Sequence, residues 1–375
     1  MSRVTRSLLM MMVGIGAASP ILCAAQGNNA GAVFIMTNDA TKNQVIAYER
    51  AANGTLSEPV YYDTNGRGSG GTTDPLESQG SLTLSQDHSL LFAVNAGSGT
   101  VSVFSVHKAN LTFLNKTPSE GAQPSAIAEN GGLVYVLNSG GPGSVVGFHL
   151  DFGGQLKEIK NSTQFLTGTT SGGASLSFSP DGQFLLVTER VTNNLDAFHI
   201  EADGTLSPII VNANPAPGTF TVNYAPNNFA IVSETGPATG NNASAISSYK
   251  VNANGTLTAV TQSLPTFASG NCWNAITPDG TKVYVSNSGS NNISGFNIGK
   301  NGKLTPIGST VVGNIPSGSH NVDIAVSANG KYVYTINSQS GNISVFAINE
   351  DGSLTNLGEA GNLPKSVGFN GIAAL

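Results

Sequence analysis

Four residues of this chain are placed to do chemistry: Glu189, Glu234, His320 and Arg67. The two glutamates end the apolar runs FLLVTE and FAIVSE, where matching runs elsewhere end in Asn38, Asn95, Asn138, Asn287 and Asn337. A carboxylate can activate water, and two neighbouring ones repel unless a cation, a proton or an arginine lies between them. His320 is of the residue type suited to general acid or base work. Arg67 lies in an irregular glycine-rich stretch, residues 65–79 (NGRGSGGTTDPLESQ), which is longer than an ordinary connection. An arginine on such a loop is a carboxylate clamp. The stretch has no GK[ST] ending and no helical pattern follows it, so it is not a phosphate loop. The chain also lacks a Gly-Xaa-Ser-Xaa-Gly elbow, a His-Glu-Xaa-Xaa-His pair and a cysteine pair for zinc. No metal ligands and no cofactor are therefore expected. The one alternative is a divalent cation held between the two glutamates.

What must position these residues is a repeat. The residues Asn38, Asn95, Asn138, Glu189, Glu234, Asn287 and Asn337 are spaced by 57, 43, 51, 45, 53 and 50 positions. Each copy holds four strand-like runs rich in Val, Ile, Phe, Tyr and Thr with period-two alternation, and none shows a sustained helical period. Four strands per copy and seven copies predict an all-β chain folded as a seven-bladed β-propeller. Gly371-Ile372-Ala373-Ala374-Leu375 reads as an innermost strand with no blade behind it, while three runs near the N-terminus lack an innermost strand. Their union closes the ring and removes two unpaired sheet edges. The Asp-Gly pairs at 181, 203, 279 and 351 sit at hairpins and predict type I′ turns, not calcium loops.

The start of an innermost strand and the end of the next lie together at one mouth of the central channel. This gives the couples Asn370 with Asn38, Gln79 with Asn95, Gln123 with Asn138, Gly173 with Glu189, Thr219 with Glu234, Trp273 with Asn287 and His320 with Asn337. Repeated asparagines at a strand end serve as caps of backbone groups. A ligand at this mouth would touch Gln79, Asn95, Asn138, Trp273, Asn287 and Asn337. Trp273 would either stack on a ring-shaped ligand or plug the channel. Cys272 is expected to point into the packed blade, and Arg67 to lie near the mouth.

Residues 1–25 read as a secretory signal peptide: Arg3 and Arg6, an apolar run from Leu8 to Ala18, then Cys23-Ala24-Ala25. The run is too short to span a membrane. Residues 26–375 form the propeller, expected as a secreted or periplasmic monomer. The formal charge is −6, only 10 % of residues are charged and no basic stripe exists, which argues against a nucleic-acid partner.

The wording SPDGQFLLVTE, NCWNAITPDGTKVYVSNSGSNNIS and SANGKYVYTINSQSGNISVF resembles the seven-bladed propeller lactonases, which include propeller-type 6-phosphogluconolactonases and carboxymuconate cyclases. The resemblance covers essentially all of residues 26–375 and is similar to an exported branch. It implies opening or closing of a lactone ring by His, Arg and Glu at the channel mouth, roles open here to His320, Arg67, Glu189 and Glu234. Family histidines at inner-strand starts are replaced here by Gln123-Pro124-Ser125 and Gly173-Ala174-Ser175. The expected function is a secreted hydrolase of a small lactone. The alternative is a non-catalytic propeller that binds a ligand, glycan or protein.

Overall fold

The period-two runs fold as antiparallel strands throughout, and the described residues contain no helix. The computed structural model describes residues 31–238 and 240–375; the expected signal peptide lies outside them. No helix among these residues is long and apolar enough to cross a membrane. The strands form seven sheets, each antiparallel and at least four-stranded, arranged as blades of a ring. Innermost strands are Leu82–Leu84, Pro124–Asn130, Gly173–Phe178, Thr219–Ala225, Asn271–Ile276 and Asn321–Val326 in blades 2 to 7. Asn370–Ala374 supplies the innermost strand of blade 1 by pairing with Gly31–Met36, so the ring closes as predicted.

Two contacts lock this closure. Arg50 is fully buried, and its Nε and Nη2 donate to Leu375 O at 3.1 and 2.7 Å. Its guanidinium also lies over the Tyr332 ring, 5.5 Å from the centroid. On the channel side, Asp323 of blade 7 accepts from the Ile372 N–H at 3.1 Å.

The turn chemistry differs from expectation. Gly182 and Gly280 have φ of 70° and 68°, but Asp181 and Asp279 before them are not in the left-handed region. Each turn is therefore a type I turn closed by a left-handed glycine, not type I′, which needs positive φ at both central residues. The aspartates accept from Ser179 and Thr277 hydroxyls and from the amides of Gln183 and Thr281. That bonding explains the repeated Ser/Thr-Pro-Asp-Gly wording.

The aromatic second strand and the Gly-Xaa-Leu hairpin of the repeat also find each other. Tyr135, Tyr284 and Tyr334 donate their hydroxyls to Gly204, Gly352 and Gly54 of the following blade at 2.9, 2.9 and 3.0 Å. These buried bonds stitch blade to blade. Tyr334→Phe should leave the Gly54 carbonyl without its donor and cost about 1–2 kcal/mol. A lower urea midpoint at unchanged m would show it; an unchanged midpoint would refute it.

Candidate functional site

The seven strand-end residues are all buried, with no exposed surface. Asn95, Asn287 and Asn337 each donate Nδ2 across the turn to a residue five positions on (Thr100, Asn292, Asn342) and a serine seven on (Ser102, Ser294, Ser344), at 2.7–3.1 Å. Asn138 donates to Ser119 O, and Asn38 ties down Ser69 of the irregular loop. These side chains cap their own blades and do not present amides to the channel.

Glu189 and Glu234 occupy the same caps. Glu189 accepts from the Thr167 N–H at 2.6 Å, from the hydroxyls of Thr167 and Thr192 and from Asn194. Burial pushes its carboxyl up, but those donors outweigh burial and hold it below the usual range. Asp196 stands where the other copies carry Ser102, Ser294 and Ser344. Burial, then the Glu189 charge, pushes Asp196 up to about 9. Asp196 is thus a neutral acid beside an ionised Glu189. Glu234 accepts from Asn214 and Ser247 at 3.2 and 2.5 Å, and burial pushes it up against those bonds. The two glutamates share no partner. Each is held by donors of its own blade and of the segment leading into it.

The strand couples hold for Gly173 with Glu189 and Thr219 with Glu234. Elsewhere they slip. Asn138 pairs with Pro124, Asn287 with Asn271 and Asn337 with Asn321, and all five of these inner strands carry a bulge just after their start. Leu82 pairs with Ala93, which leaves Gln79 ahead of its strand, and Asn370 pairs with Met36 rather than Asn38. His320 sits beside the blade 7 strand with φ of 48°, its N–H donating to Asn291. Arg67 is not at the channel. It is exposed at the outer seam of blades 1 and 2, in a crevice of about 390 Å³ shared with Lys42, Asp63, Ser98 and Lys116. Cys272 is the bulged residue of blade 6; it packs against the buried apolar cluster that holds Phe220 and Trp273 and also feels the charges of Asp74 and Arg190. Burial raises its thiol well above the ordinary value.

The channel itself is closed at the predicted mouth by residues 74–79 of the irregular loop. Gln79 reaches across the ring to blade 6 and clamps the backbone of one residue: Nε2 donates to Asn274 O at 2.9 Å and Oε1 accepts from Asn274 N at 3.1 Å. Trp273, only 1 % exposed, supports this plug from below and donates Nε1 to Ser78 O at 3.0 Å. Ser78 donates to Ser125 O, Asn370 to Asp74, and Arg190 pairs with Glu77. Arg190 therefore points away from Glu189, as strand alternation requires.

Behind the plug lies a cavity of about 350 Å³. Its wall runs from Gln79 and Asp323 to Glu129 and Phe178 at the opposite ends of the inner strands. Those far ends are half-buried whereas the strand starts are buried, so the channel opens at the face opposite the plug. Asp323 is the buried carboxylate of this wall, 2 % exposed, with φ of 55° at the bulge of blade 7. Burial pushes it up, the N–H groups of Ile324, Ile372 and Gly371 pull it back, and it settles at about 7. Asp74, the first residue of the plug, is pushed up to about 8 by burial; its bond from Asn370 opposes this, and Asp323 adds to the rise. Sequence reasoning missed both. The available signal was Asp323 in NVDIAV, an acid at the third position of an inner strand, where the other six copies carry none.

A sequence profile described as "Lactonase, 7-bladed beta-propeller" matches residues 31–164, 142–274 and 238–369. The chain belongs to this family. Among solved structures, a candidate 6-phosphogluconolactonase from Bacteroides fragilis superposes with a TM-score of 0.68 at 19 % identity, covering 93 % of this chain and 98 % of that one. The periplasmic gluconolactonase of Pseudomonas aeruginosa gives 0.67 at 18 %, covering 90 % and 98 %. A streptogramin B lyase gives 0.56 at 17 %, covering 81 % and 89 %. At these identities the likeness speaks to the fold. No curated protein matches the sequence.

Proposed function

We propose that this lactonase-family propeller hydrolyses a small lactone bound in the central channel, with Asp323 as general base. The observation that supports it is a buried carboxylate, balanced near neutrality, on the wall of a cavity sized for a small molecule. Asp323 takes a proton from water as the water oxygen attacks the lactone carbonyl carbon. The ring C–O bond then breaks, and the proton passes to the leaving oxygen to give a hydroxy acid. Ser177 is a hydroxyl donor on the same wall for the developing oxyanion, whereas the Thr83 hydroxyl donates to the Gly80 and Ile127 carbonyls. The base must be ionised, so kcat should rise with pH through a midpoint near 7. Asp323→Asn keeps a residue that tolerates positive φ and should lower kcat by about 10²–10⁴-fold. Glu189→Gln and Glu234→Gln should retain kcat in whatever fraction stays folded. A lactone panel checks this, and full activity of Asp323→Asn would overturn it.

One observation favours a second reading, a propeller that binds without turnover: three backbone N–H groups already occupy the Asp323 carboxylate. The same panel separates the two, since a binder would shift its melting point with a lactone and release no acid. The leader-like residues 1–25 support a setting outside the cytoplasm.

A further inference from the structure

Lactonases of this fold meet substrates with and without a phosphate, and the wall of the cavity bears on which this protein takes. The cavity carries two carboxylates, Asp323 and Glu129, and no lysine or arginine. Both acids are fixed in place. Glu129 accepts from the N–H groups of Gln86 and Gly132 at 3.0 and 2.8 Å, and Asp323 accepts from three strand amides. The remaining polar groups are uncharged: Gln79, Thr83, Ser177 and Asn223 among them. On the plug side, Arg190 is spent on Glu77. The cations Lys42, Arg67 and Lys116 gather instead around the crevice at the outer seam of blades 1 and 2, on a different surface.

A phosphate monoester carries about −1.5 to −2 charges at pH 7. Bound in this cavity it would face like charges within a low-dielectric wall and find no bidentate or ammonium partner. An uncharged polyhydroxylated ring meets no such repulsion, and Ser177 and the two carboxylates offer partners for its hydroxyls. From this we infer that the substrate is an uncharged lactone, entering by the open mouth opposite the plug, and that a phosphorylated lactone is rejected. The inference rests on the hydrolase reading proposed above. The same field acts on the product. Hydrolysis turns a neutral ring into a hydroxycarboxylate, which Asp323 and Glu129 then repel towards the open mouth.

The test compares glucono-1,5-lactone with its 6-phosphate on the whole protein, by proton release, and runs calorimetry with the matching lactam and lactam 6-phosphate, which cannot be hydrolysed. The expected result is a kcat/KM for the uncharged lactone about 10–100-fold above that of the phosphate, with the same order in lactam binding. Raising the salt should narrow the gap, and Glu129→Gln should narrow it further. Equal or better handling of the phosphorylated compounds in both arms would overturn the inference while leaving the hydrolase reading intact. Hydrolysis of neither lactone would remove the hydrolase reading, and the lactam arm would still decide the charge preference: tighter binding of the neutral lactam supports it, and equal or tighter binding of its phosphate overturns it.

Discussion

Deleting residues 368–375 is expected to remove the cooperative unfolding of the whole ring, not to fray one end. The segment supplies Phe369 and Ile372, buried at 2 % and 6 % exposure, and the entire inner strand of blade 1. Truncating buried side chains of this size costs about 2–5 kcal/mol each. Arg50, fully buried, would also lose the Leu375 oxygen that its Nε and Nη2 both use. Taking an acceptor from a buried charged donor costs about 1.5–3 kcal/mol. Together these losses match the net stability of about 5–15 kcal/mol that a typical domain possesses. Gly31–Met36 would in addition become an open edge beside the channel. Thermal unfolding by far-ultraviolet circular dichroism should therefore show no sharp transition, or one lowered by at least about 15 °C. A midpoint within about 5 °C of the full chain would show that closure carries little of the stability.

The repeat was legible because each of its parts has a bonding partner. The Asp-Gly turn bonds to its own Ser or Thr, and the second-strand tyrosine reaches the next hairpin glycine, so neither can drift in sequence position. The closing strand was legible for the same reason, since three strands without an inner neighbour need one. The site was less legible, because an inner-strand bulge adds one residue and flips the alternation beyond it. Cys272 was expected inside the blade; it packs on buried apolar side chains from a bulge, close to the charges of Arg190 and Asp74. Trp273 was expected on the rim, where plugging was one of its two readings; it lies beneath the plug as its support. The irregular loop announced itself by composition, but its two halves go to different places. Gly66 and Gly68 press against Asn95 and Asn38, where a Cβ would come within 2.3 and 2.2 Å of their atoms, and this pins Arg67 at the outer seam. Only residues 74–79 reach the channel. A sequence has no way to print that division, because it depends on which backbone the loop touches.

The glutamates show a related limit. Glu189 and Glu234 differ from asparagine in charge, and charge invites a catalytic reading. Around them the blades have adapted instead, with threonine hydroxyls aimed at Glu189 and a serine and an asparagine at Glu234. The overlay that marked Glu189 as exceptional would have marked Asp196 too, seven residues on, where three other copies have serine. Acid and glutamate replace serine and asparagine as a unit, with the proton on Asp196 standing in for a hydroxyl proton.

That substitution predicts a strong pH dependence. Asp196 sits at about 9 in the fold, because burial and then the Glu189 charge oppose its ionisation, against an ordinary 3.8. A folded value above the unfolded one means that folding takes up a proton between those limits. The stabilising contribution is complete below about pH 4 and is lost progressively as the pH rises to about 9, at roughly 1.4 kcal/mol per pH unit. Stability should therefore fall steadily from pH 5 to 9 unless other groups compensate. Asp196→Asn keeps the size of the side chain and an N–H donor for Glu189 but has no proton to lose. The variant should be more stable than the wild type at pH 8, by on the order of 2–4 kcal/mol, with a flatter profile. Glu189→Gln should behave in the opposite sense, since the Thr167 amide and two threonine hydroxyls all need an acceptor there; a loss of about 1–3 kcal/mol is expected. Urea titrations of the three proteins at pH 5, 7 and 9 measure all of this. Parallel profiles for wild type and Asp196→Asn would mean that Asp196 holds no proton in the folded protein, and the acid–carboxylate pair would then have to be abandoned.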